Sequence, residues 1–273
     1  MMKKVGFIGL GDMGKPMAKC LLRAGVPVAS CYHIRREPLE EIVNLGATEV
    51  SSPEEVARAS EVVISMVRDE AQTSEVLWGQ KGVMSGAKPG TIILIMSTLS
   101  PLFCQKAASE AGKKGVGMLD APVSGGSPAA EAGTLTIMVG GKEQLLEDCR
   151  PILEAMGKNI FYLGDIGMGQ AAKLANNVIA LAGICAATEG LALGVKAGVD
   201  LDRMLEIVRV SSGNSWVIEH WKLISALKKA YKPGAPLDIM YKDLELALDM
   251  ARELQVDLPI AALATQLDVG RLP

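Results

Sequence analysis

The sequence predicts an α/β fold in two parts: a doubly wound, mostly parallel sheet covered by helices on both faces, followed by an all-α C-terminal domain. Two observations predict it. Short apolar runs alternate with amphipathic segments from the N-terminus to about Gly164, as parallel strands joined by helical crossovers require. From Gln170 onward no convincing strand pattern remains, only long helical periodicity. Taken in order, Val5 to Ile8 reads as a strand and Lys15 to Ala24 as a helix closed by Gly25. Val28 to Tyr32 is the next strand, and Pro38 to Leu45 a helix ended by Gly46. Val62 to Met66, Thr91 to Met96 and Met118 to Ala121 are further strands, with helices between them, notably Pro53 to Ala59 and Pro101 to Gly112. Thr134 to Val139 and Asn159 to Tyr162 flank a helix from Lys142 to Met156. The helical part is interrupted at Gly198, at Ser211-Ser212-Gly213, at Pro233 to Pro236 and at Pro259. These changes place the domains at 1–164 and 165–273, with the helix carrying Lys173 as the first element of the second.

Composition narrows the class. Of 273 residues 49% are hydrophobic, enough for a sizeable core, while the scarcity of aromatics suits helices packed closely on a sheet. A formal charge of -3 and the absence of any long basic run argue against a nucleic-acid partner. The cysteines Cys20, Cys31, Cys104, Cys149 and Cys185 are scattered without a C-x-x-C pair, which fits a reduced cytoplasmic protein and no cysteine-based metal site. No signal peptide is visible, because Met1 to Lys4 lead straight into a strand. The apolar segment Val178 to Leu193 is broken by Glu189 and Gly190, and so reads as a core helix rather than a membrane span. With two histidines only, His33 and His220, a histidine-pair metal mechanism is nearly excluded. His220, between Glu219 and Trp221, reads as structural.

Three motifs carry chemistry. Gly9-Leu10-Gly11-Asp12-Met13-Gly14 is a G-x-G-x-x-G between the first strand and the first helix. Its first glycine permits the tight turn, the second lets a pyrophosphate approach the backbone, and the third allows close helix–strand packing. Free amides at the helix start then favour the phosphate charge. The other reading is a tight turn that binds nothing. The acidic residue that holds the ribose of NAD some 20 positions on has no counterpart here. The second strand instead ends in Tyr32-His33-Ile34-Arg35-Arg36, and an arginine there suits the 2′-phosphate of NADP; the competing reading makes Arg35 and Arg36 solvated residues opening a helix. The second motif is Asp120-Ala121-Pro122-Val123-Ser124-Gly125-Gly126, whose Ser-Gly-Gly turn offers a hydroxyl and unencumbered N–H groups to a carboxylate, or is an ordinary loop. The third is Gly167 to Asn177, which sets Lys173 and Asn177 four apart on one helix face among small residues. A lysine there either snorkels or is used.

Together with Ser97-Thr98-Leu99-Ser100-Pro101 and Tyr241-Lys242-Asp243-Leu244, these motifs resemble, in order and from Met1 to about Gln266, the β-hydroxyacid dehydrogenase family. The resemblance implies a Rossmann domain followed by a helical domain, an active site in the cleft between them, and a homodimer or homotetramer built through the helices. It implies Lys173 as the catalytic acid/base supported by Asn177, and Ser124, Gly125 and Gly126 as holders of the substrate carboxylate. Met66, Val67 and Thr98 would line the dinucleotide site, Thr98 near the nicotinamide, and Lys242, with Asp243, would close over the cofactor. NADP is the expected cofactor, NAD the second choice, and a small hydroxy acid or its semialdehyde or oxo acid the expected substrate. An imine reductase shares this architecture but generally lacks the lysine; a cofactor-binding scaffold without turnover is the third reading. Asn214-Ser215-Trp216 either shapes the substrate pocket or caps a helix. Two departures stand out: Val67-Arg68-Asp69 occupies the place of a frequent Leu-Pro, and the chain changes after Leu267 to a short ending, an apparently shortened C-terminus.

Overall fold

The computed structural model describes residues 3–221 and 236–266. The expected break at residues 233–235 and the ending after Leu267 lie outside them. Strands β1 (Val5–Ile8), β2 (Val28–Cys31), β3 (Thr48–Val50), β4 (Val62–Ser65), β5 (Ile92–Ile95) and β6 (Gly117–Asp120) are all parallel, in the order β3-β2-β1-β4-β5-β6. The order reverses at β1, so the crossovers from β1 and β4 leave in opposite directions. β7 (Val123–Ser124) and β8 (Leu135–Gly141) make the sheet mixed: β8 runs antiparallel to β6 and β7, and β9 (Gly157–Tyr162) pairs parallel on β8. β6 and β7 act as one interrupted strand. Asp120 pairs with Gly140, Pro122 accepts from the Met138 amide, and Ser124 pairs with Thr136, all in one register.

The central strands β1, β4 and β5 are buried at every position because both faces are covered. Phe7, Ile64 and Leu94 belong to the core layer under α1 (Gly14–Arg23), α2 (Glu37–Val43) and α8 (Glu143–Glu154). Their neighbours Ile8, Val63, Ile93 and Ile95 belong to the opposite layer with α3 (Pro53–Arg58), α4 (Glu70–Trp78), α5 (Val83–Gly86) and α6 (Pro101–Gly112). The sequence pattern misses β3, β7, α4, α5 and α7 (Gly126–Ala132). β3 is a three-residue edge strand with two exposed side chains, and α4 buries only Thr73 and Leu77, so neither carries a readable apolar pattern.

Among the described residues the remaining helices are α9 (Met168–Lys196), α10 (Leu201–Arg209), α11 (Trp216–Glu219), α12 (Pro236–Leu254) and α13 (Pro259–Gln266). Their core contains Leu181, Ile184, Leu205, Ile218, Trp221 and Leu244. The chain divides into two compact units, Met1–Lys173 and Leu174–Pro273. The division falls inside α9, so the first turn and a half of that helix belongs with the sheet.

Candidate active site

The C-terminal edge of the parallel strands gathers the first group of sequence-predicted residues. Gly9 leaves β1 with φ 99°, and a Cβ there would sit 2.2 Å from the Met66 carbonyl oxygen. Gly14 opens α1, where a Cβ would lie 1.8 Å from the Gly9 oxygen. The fold itself thus demands two of the three glycines. Gly11 differs: it is exposed, and a Cβ there would meet nothing within 4 Å. A glycine that no protein atom requires fits close approach by something outside the chain, as a pyrophosphate would make. α1 also starts without a side-chain cap; in its first turn the Lys15 amide bonds the Gly11 carbonyl at 3.0 Å and Pro16 carries no N–H, so any anion here would meet the loop amides ahead of Lys15. The residues present fit a dinucleotide. Leu10 and Met13 pack on the core beside the loop, while Asp12 is exposed.

At the end of β2, His33, Arg35 and Arg36 are exposed. Arg36 is committed within the chain. It donates to both carboxylate oxygens of Glu49 on β3, at 3.0 and 3.1 Å, and pairs with Glu40 at 3.3 Å. Hydrogen bonding to Glu49 and its charge raise the guanidinium pKa further. Arg35 makes no such bond among the described residues, so it and His33 are better disposed than Arg36 towards a phosphate. Nearby, burial pushes the Cys31 thiol up to about 11.

Met66 follows β4, its amide bonded to the Ile8 carbonyl at 2.8 Å, and Val67 packs against the core layer that contains Ile8 and Val63. The Val67-Arg68-Asp69 departure has a local explanation. Asp69 caps α4 by accepting from the Gln72 amide at 2.8 Å, while Gln72 accepts from the Arg68 amide at 3.1 Å, a reciprocal cap. Thr98 lies half-buried between β5 and α6, flanked by two bonds to Gln170: its Oε1 accepts from the Leu99 amide at 3.0 Å and its Nε2 donates to the Ser97 carbonyl at 2.8 Å.

Ser124 ends β7 half-buried, and Gly125 and Gly126 follow, exposed, with φ 125° and 67°. A Cβ at Gly125 would sit 2.5 Å from that of Ala129. α7 packs on α1 through Cys20, whose thiol lies 3.3 Å from the Ala130 oxygen, and through Ser127 Oγ, 4.0 Å from Met13 Sδ. These contacts hold the Ser-Gly-Gly turn beside the Gly9–Gly14 loop.

Two residues at this edge escaped sequence reasoning: Gln170 and Asp120. Asp120, fully buried, ends β6 and receives the amides of Gly167 and Gln170 at 2.7 Å each, so a carboxylate from the sheet caps the N-terminus of α9. Burial pushes its carboxyl above the usual value, against the pull of those amides. Gly140 and Gly169 are needed for the approach, because a Cβ on either would fall within 3 Å of an Asp120 carboxylate oxygen. Lys173, half-buried, sits one turn beyond Gln170 and belongs to the same unit.

Asn177 and Lys242 belong to the second unit, where Asp243 joins them. Asn177 is buried and donates to Asp243 Oδ2 at 2.6 Å, and Lys242 pairs with Oδ1 at 2.7 Å. Ser215 caps α11 by accepting from the Ile218 amide at 3.4 Å, so the capping reading of that segment describes its geometry. Trp216 stacks on His220 with ring centroids 4.3 Å apart, and the His220 Nδ1 lies 2.9 Å from the Trp216 carbonyl, a structural setting for that histidine.

Residues 4–164 match the NAD binding domain of 6-phosphogluconate dehydrogenase, and residues 167–268 match the NAD-binding domain of NADP-dependent 3-hydroxyisobutyrate dehydrogenase. The chain is 40% identical to 2-(hydroxymethyl)glutarate dehydrogenase of Eubacterium barkeri, over 98% of this chain and 88% of that one. The chain belongs to the β-hydroxyacid dehydrogenase family. Another β-hydroxyacid dehydrogenase relative is the NAD-dependent L-serine dehydrogenase of Pseudomonas aeruginosa, 38% identical over 97% of this chain and 91% of that one. The solved 3-hydroxyisobutyrate dehydrogenase of Salmonella typhimurium superposes with a TM-score of 0.87 at 33% identity, covering 96% of this chain and 92% of the other. An imine reductase from Myxococcus stipitatus shares the fold alone, at 17% identity and a TM-score of 0.71. As a β-hydroxyacid dehydrogenase, this chain is an NAD(P)-dependent oxidoreductase acting on CH–OH groups of small hydroxy acids.

Proposed function

We propose that the chain interconverts a small carboxylate-bearing alcohol and its semialdehyde or oxo acid, with NADP(H) preferred and Lys173 as acid/base. The carrying observation is the anchoring of the first turn of α9 to the ends of β5 and β6, by Gln170 and Asp120, which supports Lys173 as a residue of the strand-end edge. Gly9, Leu10, Gly11, Asp12, Met13 and Gly14 with Met66, Val67 and Thr98 would hold the dinucleotide, which would supply the hydride chemistry when bound. Everything else falls to the protein. In oxidation the neutral Lys173 amine takes the hydroxyl proton; in reduction its ammonium gives a proton to the oxygen that becomes the hydroxyl. Asn177 orients that lysine, one turn away on α9. Ser124 Oγ–H and the amides of Gly125 and Gly126 donate to the substrate carboxylate. His33 and Arg35 favour the 2′-phosphate of NADP.

Relatives named for 2-(hydroxymethyl)glutarate, L-serine and 2-hydroxy-3-oxopropionate support a substrate with a carboxylate close to the reacting carbon. The test is NADPH oxidation against a panel of small oxo acids, carboxylate-bearing semialdehydes and cyclic imines. Acid-dependent turnover that falls at least about 100-fold in Lys173→Ala, with NADPH still bound, is the expected result. Near-normal turnover in that variant overturns the role of the lysine, imine-only turnover makes the enzyme an imine reductase, and binding without turnover makes it a scaffold.

We further propose a cytoplasmic homo-oligomer. The five cysteines are all free, which supports a reducing compartment. Helix Met168–Lys196 is long and apolar enough to cross a membrane, but Ile179 at 77% and Leu193 at 74% exposure are better assigned to a second copy of the chain. Light scattering behind size exclusion, in buffer without detergent, should give a dimer or tetramer. A clean monomer refutes this.

A further inference from the structure

We infer that Gln170 is a positioning residue that fixes the distance between Lys173 and Thr98; the inference rests on the reading of Lys173 as the acid/base. Gln170 is fully buried, and both ends of its side-chain amide are used, on Leu99 N–H and on Ser97 C=O. These two peptides flank Thr98. They lie where the sheet no longer holds the chain: the Met96 amide donates to the Ser65 carbonyl at 2.9 Å, and beyond it the Ser97 carbonyl and the Leu99 amide turn to Gln170 instead. The backbone of Gln170 is fixed in turn by Asp120 Oδ2. Gln170 therefore takes part in bonds to the ends of two strands while standing three residues before Lys173, on neighbouring positions of one helix face.

Packing alone does not call for an amide here. A methionine or leucine would occupy similar volume without the desolvation cost that a buried amide incurs unless every polar atom is satisfied. What the amide adds is direction: two bonds to two peptides either side of one residue leave the Thr98 loop little freedom to slide along α9. A proton donor must come within hydrogen-bond reach of the oxygen it serves, and a misplacement of about 1 Å costs about 100-fold in rate. Gln170 links the loop carrying Thr98 to the helix carrying Lys173 by a path that lies wholly within the first unit.

The test compares the wild type, Gln170→Met, Gln170→Glu and Lys173→Ala. Gln170→Met should fold by far-UV circular dichroism and bind NADPH, by fluorescence titration, within about threefold of wild type. Its kcat should fall about 10- to 100-fold, with a larger primary isotope effect from NADPH deuterated at the transferring carbon. In the cofactor-free protein, the peptide containing Leu99 should exchange its amide hydrogens faster. Gln170→Glu keeps the acceptor for Leu99 and regains a donor to Ser97 only when protonated, so its kcat relative to wild type should rise as pH is lowered. A folded Gln170→Met with kcat within twofold of wild type overturns the inference. If that variant does not fold, a Gln170→Glu to wild-type ratio that is flat with pH overturns it equally. Lys173→Ala separates the two claims: retained turnover there defeats the role of the lysine, whereas an inactive Lys173→Ala beside a normal Gln170→Met defeats only the role of Gln170.

Discussion

Replacing Gly11 by alanine should separate binding from folding in a way that no other glycine of the loop allows. No φ in the left-handed region is found at Gly11, and the new methyl would meet nothing within 4 Å. The cofactor-free fold should therefore be unharmed, or gain about 0.4–1 kcal/mol from the smaller entropy of the unfolded chain. A phosphate that approaches the Gly11 backbone meets the methyl first. Losing one charge-assisted hydrogen bond costs about 1.5–3 kcal/mol, or about one to two orders of magnitude in affinity. Gly14→Ala is the control with the opposite sign. Its methyl would lie 1.8 Å from the Gly9 oxygen, and Gly9 is itself confined by the Met66 carbonyl, so the backbone must shift and the fold must weaken. Urea unfolding without cofactor, followed by NADPH fluorescence titration of the folded variants, measures both quantities. An affinity for NADPH within twofold of wild type in Gly11→Ala, or an unfolding midpoint lowered as far as in Gly14→Ala, would refute the reasoning.

Two further expectations concern charge. Glu49→Gln should release Arg36 from its bidentate partner and lower KM for NADPH by about two- to fivefold, with KM for NADH unchanged, since both partners are solvent-exposed and screened; equal shifts with both cofactors would contradict it. Glu41 bridges α1 and α2 by accepting from Lys15 at 2.8 Å and Lys19 at 2.5 Å, and hydrogen bonds from these ammonium groups lower its pKa from 4.5 to about 2. A depressed acid contributes stability that is complete above its unfolded value and is lost as pH falls through its folded one, here from about 4.5 down to about 2. Glu41→Gln should flatten the decline of the urea midpoint across that window at low salt and leave the slope near neutrality unchanged; an unaltered acid limb would show that the pair contributes nothing.

Local chemistry decided how much could be read in advance. Helix α6 was legible at its start because Ser100 caps it, accepting from the Phe103 amide at 3.0 Å, and Pro101 occupies its first position. The endings at Gly25 and Gly46 were legible because both glycines take positive φ, which few other residues tolerate. β3, with Thr48 and Glu49 exposed, presents no pattern to read. The loops of the site announced themselves as glycine motifs, and Lys173 as a charge in an apolar setting. Asp120 and Gln170 did not, because what defines them is a partner 47 to 73 residues away. Arg36 looked available in the sequence because its partner Glu49 sits on the strand that the pattern missed.

The register that β6 and β7 share on β8 has a consequence for how such a site can change. Asp120, which anchors α9, and Ser124, at the candidate carboxylate cradle, ride the same edge of β8 four residues apart. At about 3.3 Å per residue, their separation comes in whole steps, and a single insertion or deletion between them would turn every later side chain to the other face of the sheet. A substitution there preserves the register and a change of length does not, so substrate preference can be redesigned through the identities of side chains around a spacer of fixed length.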